Sequence, residues 1–445
     1  MGKLKERVLL KLVFTLADFV MGTCAMKWYK QIKYLNSLSA DEIKQWQLNQ
    51  LSLLLNHAYD NTVYYKEVFD SLNLKPSDIK SFEDLKKLPV LTRDIIKERF
   101  NDLVPKNIKS IKHRYSHTGG STGEPMRYIC DENTWGFVTA MKIYSWQTTG
   151  YRYGDLFMSL GSSSLFPVNK KSLVHEIYFK LRNTIPLNGM NMDDSICEKY
   201  VKIAQRHNVR YIYGYATAIY LLALYCKNHN IKLSFKSAFT TAEKLHPHYR
   251  QTISETFGCI VMDCYGSKDG GVTAYEVSPG YYHVGYASHF EIAKEYGSLQ
   301  TLYATNLIDF AFPTIRYANG DEVVMHQPLE TEYNGQLMKE VVGRTSDVVE
   351  LANGNRLTTS GFNSLFRTFN VEAFRIRKIA DDKILVQIKK RSNYTDSEHE
   401  LLFATITKYI GVETKLEFEY VSEFQPLKNG KRSFLMNDLS VGDKV

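Results

Sequence analysis

The sequence predicts an α/β protein with a large, multi-layered N-terminal domain and a small α+β domain at the carboxyl end. A chain of 445 residues is too long for one ordinary hydrophobic core. Strand-like and helix-like apolar segments alternate between about residues 110 and 320, as in α/β layers. After about residue 343 the pattern changes to a hairpin, strands and one helix. The expected divisions are a helical segment at 1–38, a large domain at 39–342, a hinge at 343–347 and a small domain at 348–445.

Turn and capping signals delimit the predicted elements of the large domain. Ser39 and Glu42 have the spacing of a capping box, which favours a helix start at this point. A second helical region is expected over 82–100. The other expected elements are helices over 132–147 and 216–228, and strands at Tyr211–Tyr215 and Ile260–Cys264.

The small domain is predicted from alternating apolar residues and turn signals. Asn353-Gly354 is typical of a tight hairpin turn, so a hairpin is expected over 347–360. Ser397 and Glu400 are predicted to cap a helix that ends near Gly411. Strands are expected near 372–378, near 384–390 and at Lys415–Val421.

The amino-terminal segment is predicted to be an amphipathic helix. Residues 8–21 are apolar apart from one narrow polar stripe. The longest uncharged run, Phe19–Met26, is far too short to cross a bilayer, and no clean signal-peptide pattern is present. Two interpretations stay open: a helix docked on the protein's own surface, or a helix lying in a membrane interface. The polar stripe is Arg7, Lys11, Thr15 and Asp18, and the basic residues available to anionic lipid are Lys3, Lys5, Arg7, Lys27, Lys30 and Lys33.

The composition excludes several classes of protein. The net charge of +8, from 56 basic and 48 acidic residues, is modest for this length and predicts only mild attraction of anionic ligands. No RNP, zinc-finger or basic-zipper pattern occurs, so no nucleic-acid partner is expected. Six cysteines without a C-x-x-C pair favour a protein of the reducing cytoplasm.

The loop Ser116–Pro125 is the most informative segment of the chain. It contains three glycines and four hydroxyl side chains and no large apolar residue. Glycine permits close approach of the backbone to a ligand, and successive N–H groups can cradle a phosphate. The flanking segments look extended, so the loop is expected to join two strands. A flexible surface loop is the alternative. The candidate phosphate-binding residues are Thr118, Gly119, Gly120, Ser121, Thr122 and Gly123.

Further segments follow this loop in an order that suits the binding and activation of ATP. Tyr265 offers a flat face for adenine, and Asp321 can accept hydrogen bonds from both ribose hydroxyls. Asp269 can ligate magnesium that bridges the phosphates. Arg344 is a permanent cation, and Lys431 can neutralise charge at the reacting centre. The complete segments are Thr241-Ala242-Glu243, then Asp263-Cys264-Tyr265-Gly266-Ser267-Lys268-Asp269, then Asp321, then Gly343–Asp347, then Lys431.

Each of these residues also has an ordinary alternative when it is considered alone. Arg344 and Asp347 have the spacing of a surface ion pair, and Lys431 can be a solvated surface charge. Asp321 lies in Asn-Gly-Asp, which is typical of a turn. The order of the whole set is what favours a shared site.

This ordered set resembles the adenylate-forming superfamily, most closely its phenylacetate–coenzyme A ligase branch and the capsular-polysaccharide members of that branch. The resemblance extends from about residue 39 to the carboxyl end. It rests on Asn56–Tyr59, Val63–Tyr65, Asp84–Thr92, Thr118–Pro125, Thr241–Glu243, Tyr265–Asp269, Asp321, Arg344 and Lys431. The sequence differs from the family pattern at four positions. Gly119 and Lys268 stand where the family has Ser or Thr, Asp269 where it has Glu, and Ser346 where it has an acid.

The resemblance implies an acyl-adenylate synthetase fold with a mobile carboxyl-terminal lid, and an AMP-forming ligase that uses ATP and magnesium. A small-molecule carboxylate is activated and then passed to coenzyme A, a carrier thiol, or an amine or hydroxyl of a saccharide. Lys431, Asp269 and Arg344 are the implied catalytic residues. Tyr213, Gly214 and Tyr215 resemble the acyl-pocket segment, and a buried aromatic strand is the alternative. The rival function is a degenerate nucleotide-binding relative that acts as a membrane-associated scaffold without catalysis.

Overall fold

The computed structural model describes most of the chain, with gaps. The described residues are 12, 15–16, 18–19, 23–117, 126–152, 154–161, 176–177, 179–180, 182–189, 192, 194–296, 299–326, 335–344, 348–351, 356–358, 366, 369–424 and 435–438. Of these, 293–296, 299–300, 343–344, 348–350, 356–358, 408–409, 435 and 437 are described by their backbone alone.

The described residues up to about 260 form helices interspersed with strands. Between Ile260 and Met325 the described residues form strands without an intervening α-helix, so the expected alternation ends well before residue 320. The helices are α1 (Ala25–Leu35), α2 (Ala40–Asn61), α3 (Val63–Ser71), α4 (Arg93–Glu98), α5 (Phe100–Leu103), α6 (Glu132–Gln147), α7 (Asp194–Arg206), α8 (Ala216–Asn228), α9 (Pro247–Phe257) and α10 (Asp396–Ile410). The first strands are β1 (His113–His117), β2 (Arg127–Asp131), β3 (Phe157–Gly161), β4 (Thr184–Asn188), β5 (Tyr211–Tyr215), β6 (Ser237–Thr241), β7 (Ile260–Ser267), β8 (Val272–Ser278) and β9 (Tyr281–Val284). The later strands are β10 (Ser288–Tyr296), β11 (Leu299–Asn306), β12 (Tyr317–Met325), β13 (Leu337–Arg344), β14 (Val348–Glu350), β15 (Arg356–Thr358), β16 (Val371–Ala380), β17 (Lys383–Lys390), β18 (Lys415–Tyr420) and β19 (Leu435–Asn437).

An eleven-stranded mixed sheet organises the large domain, in the order β10-β11-β12-β13-β9-β8-β7-β6-β5-β3-β4. The five strands from β7 to β4 are parallel. The pairs β7–β8, β8–β9, β9–β13 and β10–β11 are antiparallel. Because the connections between parallel strands must cross over, helices cover this half of the sheet.

Alternation along β5 builds two hydrophobic layers. Tyr211 and Tyr213 belong to the core that contains Trp146 of α6. Ile212 belongs to the core that contains α7, α8 and α9. Tyr215 belongs to that core as well, but it is the last residue of the strand and the N-cap residue of α8, where the alternation ends. Side chains of a strand point alternately to its two faces, so a strand buried on both sides reads as a continuous apolar run. This explains why the tyrosine-rich segment was recognisable as a strand.

The predicted helix starts are correct for one helix and displaced for another. Ser39 and Glu42 form the expected capping box at α2. The carboxyl-terminal helix was predicted to be capped by Ser397 and Glu400, which is wrong. The capping box is Thr395 with Glu398, two residues earlier, and Ser397 lies inside α10. Both pairs have the spacing i, i+3, so spacing alone did not distinguish them.

Two further expectations need correction. Residues 82–100 do not form one helical region, because the extended residues Leu88 to Thr92 separate a 3-10 helix at Glu83–Lys87 from α4. Leu88 precedes Pro89, and a proline disfavours the helical conformation in the residue before it. Asp321 was expected at a strand end or in an Asn-Gly-Asp turn, but it lies within the continuous strand β12. Gly320 has φ of 81°, which gives the strand an irregularity at that point.

The chain divides into two compact units. One consists of Met1–Thr118, Met126–Asn319 and Val323–Val341, and the other of Gly119–Pro125, Gly320–Glu322 and Val342–Val445. In the second unit, a four-stranded sheet of order β18-β17-β16-β19 shares a hydrophobic core with α10. Strands β14 and β15 pair as the expected hairpin. The hinge at 343–347 and the mobility of this unit remain predictions.

No helix of the described part of the chain is long and apolar enough to cross a membrane.

Candidate functional site

The parallel half of the sheet brings three of the predicted segments side by side. In β5, β6 and β7 the register pairs Tyr215 with Thr241 and Thr241 with Cys264. The segments that begin at Tyr213, Thr241 and Asp263 therefore meet at one edge, where the carboxyl ends of parallel strands lie. Ligands of open α/β sheets bind at this edge.

Asp269 is held in a defined orientation just after β7. Its Oδ1 accepts a hydrogen bond of 2.7 Å from Ser267 Oγ, and its Oδ2 accepts one of 2.8 Å from the hydroxyl of Tyr317. The side chain of Asp269 is buried, as are both donors. Both partners are neutral hydroxyl donors, so neither of them forms an ion pair with the carboxylate.

The surroundings of Asp269 fit magnesium bound together with a nucleotide. Among the described residues no cluster of three or more acidic, His or Cys side chains could hold a metal alone. Magnesium in nucleotide sites is commonly held by one or two carboxylates, with phosphates and water as the other ligands. Each Asp269 oxygen accepts one hydrogen bond from these donors and has a second lone pair. Asp269 is thus suited to be the one protein ligand, and magnesium stays a prediction.

Asp263 lies in a buried polar network. Thr240 Oγ1 donates to its Oδ1 at 2.5 Å, and the hydroxyl of Tyr282 donates to its Oδ2 at 2.7 Å. Its backbone N–H donates to the carboxylate of Glu276. Arg250 in turn donates two hydrogen bonds of 2.6 and 2.7 Å to the same carboxylate. Burial raises the pKa of Asp263 to about 6, since the charged form loses hydration. This network ties β6, β7 and β8 together behind the site.

Tyr265 is fixed by polar and aromatic contacts. Its hydroxyl accepts a hydrogen bond of 2.8 Å from Asn319 Nδ2. Its ring meets Phe290 edge to face, with centroids 6.1 Å apart. Its carbonyl accepts a bond of 3.0 Å from Thr273 Oγ1. The ring is largely buried in the core around β8, so the expected stacking on adenine remains a prediction.

The Thr241-Ala242-Glu243 segment makes a sharp turn after β6. Ala242 has φ of 66°, in the left-handed region that costs a residue with a Cβ about 1 kcal/mol. The turn directs Glu243 to the start of α8, where its Oε2 accepts a 3.0 Å bond from the N–H of Thr217. A carboxylate at a helix amino terminus is favoured by the helix dipole. Thr241 Oγ1 donates to the carbonyl of Cys264 at 3.2 Å.

The predicted acyl-pocket segment is the buried strand β5, as the alternative interpretation stated. Tyr213 and Tyr215 are buried, and Gly214 pairs with Leu160 of β3. A Cβ at Gly214 would collide with the carbonyl oxygen of Leu160 and lie 2.8 Å from its carbonyl carbon. Gly214 is therefore required by the close approach of two strands. A role of these residues in acyl binding is untested and does not conflict with this packing.

The other predicted site residues are placed only in part. The phosphate-loop residues 118–125, Asp347 and Lys431 lie outside the described residues. Arg344 is the last residue of β13 and is described by its backbone alone. Asp321 is buried in β12, whereas Gly266 and Lys268 are exposed. The hairpin β1–β2, with His117 paired to Arg127, flanks the phosphate-loop residues as expected.

Sequence analysis missed Lys142 of α6. Its Nζ lies 5.0 Å from the ring centroid of Tyr213 and 5.7 Å from that of Trp146. Burial, together with the positive charges of Arg182 and Lys268, lowers the pKa of Lys142 to about 7. A signal was present, because Lys142 is the one charged residue of α6 after the first, Glu132.

The fold is that of the coenzyme A ligases that form acyl-adenylates. A crystal structure of a 2-hydroxyisobutyryl-CoA ligase in complex with R3-HIB-AMP superimposes with a TM-score of 0.70, over 92% of this chain and 92% of that chain, at 16% identity. An anthranilate CoA ligase in complex with anthranoyl-AMP matches with a TM-score of 0.51, over 71% of this chain and 64% of that chain, at 14% identity. The predicted fold class is confirmed.

Within that class, sequence similarity points to the capsule-related and phenylacetate branches. The chain is 24% identical over 425 residues to Protein CapK of Staphylococcus aureus, covering 93% of this chain and 92% of that protein. It is 26% identical over 345 residues to a phenylacetate–coenzyme A ligase of Aromatoleum evansii, covering 72% and 74%. Residues 349–438 match the family model described as the CapK C-terminal domain. The resemblance stated from the sequence is confirmed as a similarity to Protein CapK and to phenylacetate–coenzyme A ligases, together with the fold of the acyl-adenylate-forming ligases.

Proposed function

We propose that this protein activates a carboxylic acid with ATP, forming an acyl-adenylate and pyrophosphate, and then transfers the acyl group. The observation that carries the proposal is the position of Asp269. Its oriented carboxylate follows β7 at the carboxyl edge of the parallel strands, with Tyr213 and Lys142 on the same half of the sheet. This arrangement supports a nucleotide–metal site beside an organic pocket in an acyl-adenylate fold.

In the first half-reaction, a carboxylate oxygen of the acid forms a bond to the α-phosphorus of ATP. The bond from that phosphorus to the oxygen that bridges to the β-phosphate breaks, and pyrophosphate leaves. Ser267 and Tyr317 hold Asp269 ready for the magnesium that, when bound, neutralises phosphate charge. Tyr265, which Asn319 holds in place, is the residue proposed to contact adenine. The enzyme acts mainly by positioning and by electrostatic stabilisation.

In the second half-reaction, a nucleophile attacks the acyl carbonyl and AMP leaves. The acceptors that we propose to compare are coenzyme A, a carrier thiol, and an amine or hydroxyl of a saccharide. The similarity to Protein CapK supports a role in surface polysaccharide biosynthesis.

Pyrophosphate exchange over a panel of carboxylic acids tests the first half-reaction. Wild-type protein is expected to exchange label from pyrophosphate into ATP only when a suitable acid is present. Asp269→Asn keeps the shape but removes the charge, so exchange should fall and its magnesium requirement should rise. Asp60→Asn, on the exposed face of α2, is the matched control. ATP binding without acid-dependent exchange would favour the degenerate, non-catalytic relative.

We further propose that the amino-terminal segment contacts an anionic membrane surface from the cytoplasmic side. Leu12, Leu16 and Phe19 are 63%, 46% and 83% exposed and have the spacing of one helical face. Lys27, Lys30 and Lys33 on α1 are exposed as well. The charge and the apolar face together suit binding to anionic lipid.

Vesicle sedimentation tests the membrane contact. Full-length protein should pellet with vesicles containing phosphatidylserine and stay in solution with neutral vesicles. Replacing Leu12, Leu16 and Phe19 together by serine should reduce the pelleted fraction about tenfold or more, since three apolar side chains lose their contact. Leu53→Ser, at an exposed leucine of α2, should have no effect. If the wild type, the triple serine variant and Leu53→Ser pellet equally, the segment is better explained as a helix docked on the protein's own surface.

A further inference from the structure

Lys142 lies beside an aromatic cluster made of Trp146, Phe157 and Tyr213. The ring centroids of Phe157 and Tyr213 lie 5.3 and 5.0 Å from that of Trp146. The ammonium of Lys142 sits over Tyr213 and Trp146, and the guanidinium of Arg182 sits 5.7 Å from the Phe157 centroid. Two cations therefore flank one group of rings.

The charge of Lys142 is not balanced by a carboxylate of the part of the chain that the structure describes. Among the described residues no carboxylate forms an ion pair with Lys142. Arg182 and Lys268 are near enough to repel it, and Cys264 is the one neighbouring group that favours its protonated form. A partly buried ammonium ion gains from an anionic partner because hydration no longer stabilises it fully.

The contact of Lys142 with Tyr213 places it beside β5 rather than at the turn that carries Asp269. Tyr213 belongs to β5, whereas Asp269 follows β7, and β6 lies between them. Two strand spacings are about 10 Å. An acid whose reacting carboxylate lies near the nucleotide at Asp269 can place its far end at Lys142.

We propose that the acyl site takes a carboxylic acid with a second anionic group, and that Lys142 is the residue that binds this second group. The proposal rests on the adenylation proposed above and narrows its substrate class to diacids or acids of similar charge. The aromatic cluster would line the segment that joins the two acidic ends. Arg182, over the ring of Phe157, adds positive potential to the same cluster.

Pairs of acids that differ only in the second carboxylate test this assignment by pyrophosphate exchange. Suitable pairs are hexanoate with adipate and phenylacetate with phenylenediacetate, each with the monoamide of the diacid as a neutral analogue of the same shape. Wild type should prefer each diacid in kcat/KM. Lys142→Met should lower kcat/KM for diacids roughly ten- to hundredfold, mainly through KM, and leave the monoacids unchanged. Lys142→Arg should restore part of the preference, and Lys202→Met on the exposed face of α7 is the control.

The pH dependence supplies a second readout. The KM for diacids should rise above about pH 7, where Lys142 loses its proton, and this rise should be absent in Lys142→Met. The other titratable groups that face Lys142 do not change their protonation near pH 7. Burial raises the pKa of Cys264 to about 12, and burial also raises the pKa of Tyr213 above its ordinary value. Arg182 stays charged throughout this pH range. Lys268 is on the exposed turn after β7 and its positive charge lowers the pKa of Lys142, so in Lys268→Met the rise of the diacid KM should move to higher pH and should not disappear.

The outcomes separate this inference from the proposed function. If wild type adenylates monoacids as well as diacids, or better, Lys142 is a cation stabilised by the rings alone and the inference is wrong while adenylation stands. If Lys142→Met changes the KM for ATP and not that for the acid, the cation serves the phosphates and the inference is wrong. If no acid supports exchange, both are overturned.

Discussion

The hydroxyl of Tyr317 donates a 2.8 Å hydrogen bond to Asp269, although the two residues are 48 positions apart in the chain. Tyr317 begins β12, and Asp269 lies in the turn between β7 and β8, so two distant parts of the sheet fix one carboxylate. Both side chains are buried, which prevents water from replacing the bond easily. The orientation of the proposed metal ligand is thus built into the fold.

Tyr317→Phe should weaken the use of magnesium without unfolding the protein. The ring remains to fill its site, but Asp269 loses one of its two donors. The magnesium concentration for half-maximal exchange should rise roughly tenfold, as is usual when a residue that orients a metal ligand is changed. Tyr211→Phe, which loses a 2.9 Å bond to the carbonyl of Gly150 at the other end of β5, is the matched control. An unchanged magnesium requirement would show that the metal is held elsewhere.

Asp263→Asn should alter the pH dependence of stability. The pKa of Asp263 is raised from 3.8 to about 6, so its contribution is complete below about pH 4 and is lost as the pH rises through about 6. The difference in free energy of unfolding, wild type minus variant, should therefore fall by roughly 1–3 kcal/mol between those pH values. Urea unfolding across this range measures it, with Asp60→Asn as control. A difference that does not vary with pH would mean that Asp263 keeps an ordinary pKa.

Gly214→Ala should destabilise the large domain. The added methyl group collides with the backbone of Leu160, so β3 and β5 must move apart. The expected loss is about 3 kcal/mol, within the range of overpacked cores. Gly266→Ala is the matched control, since the nearest atom to its Cβ would be 3.7 Å away. Equal unfolding midpoints for the two variants would contradict the packing argument for Gly214.

Lys431→Ala should slow adenylation by on the order of a hundredfold, the usual effect of losing one preorganised electrostatic contact. The affinity for ATP should change little, because the cation acts on charge that develops during the reaction. Transfer from a chemically supplied acyl-adenylate should continue, since the second step needs a different lid orientation. Equal loss in both half-reactions would instead indicate a misfolded carboxyl-terminal unit, and unchanged exchange would exclude the role.

Local patterns predicted much of this fold, and long-range geometry explains what they left out. The alternation in Tyr211–Tyr215 and the capping box at Ser39 are local signals, and both elements are as expected. The order of segments also predicted Asp269 as a site residue, and this stays a prediction. Its donor Tyr317 and the cation Lys142 were missed, because their relation to the site depends on strand order and helix packing. Asn319-Gly320-Asp321 looked like a turn, yet pairing within the sheet keeps it in a strand.

The fate of the carboxylate oxygen tests the central claim most directly. The acid is supplied with both carboxylate oxygens replaced by a heavy isotope, together with ATP, magnesium and an acceptor, and AMP is examined by mass spectrometry. If the carboxylate attacks the α-phosphorus, each AMP formed must carry one heavy oxygen from the acid. Asp269→Asn should produce the same labelled AMP more slowly. AMP without heavy oxygen, or ADP and phosphate in its place, would contradict the formation of an acyl-adenylate by this protein.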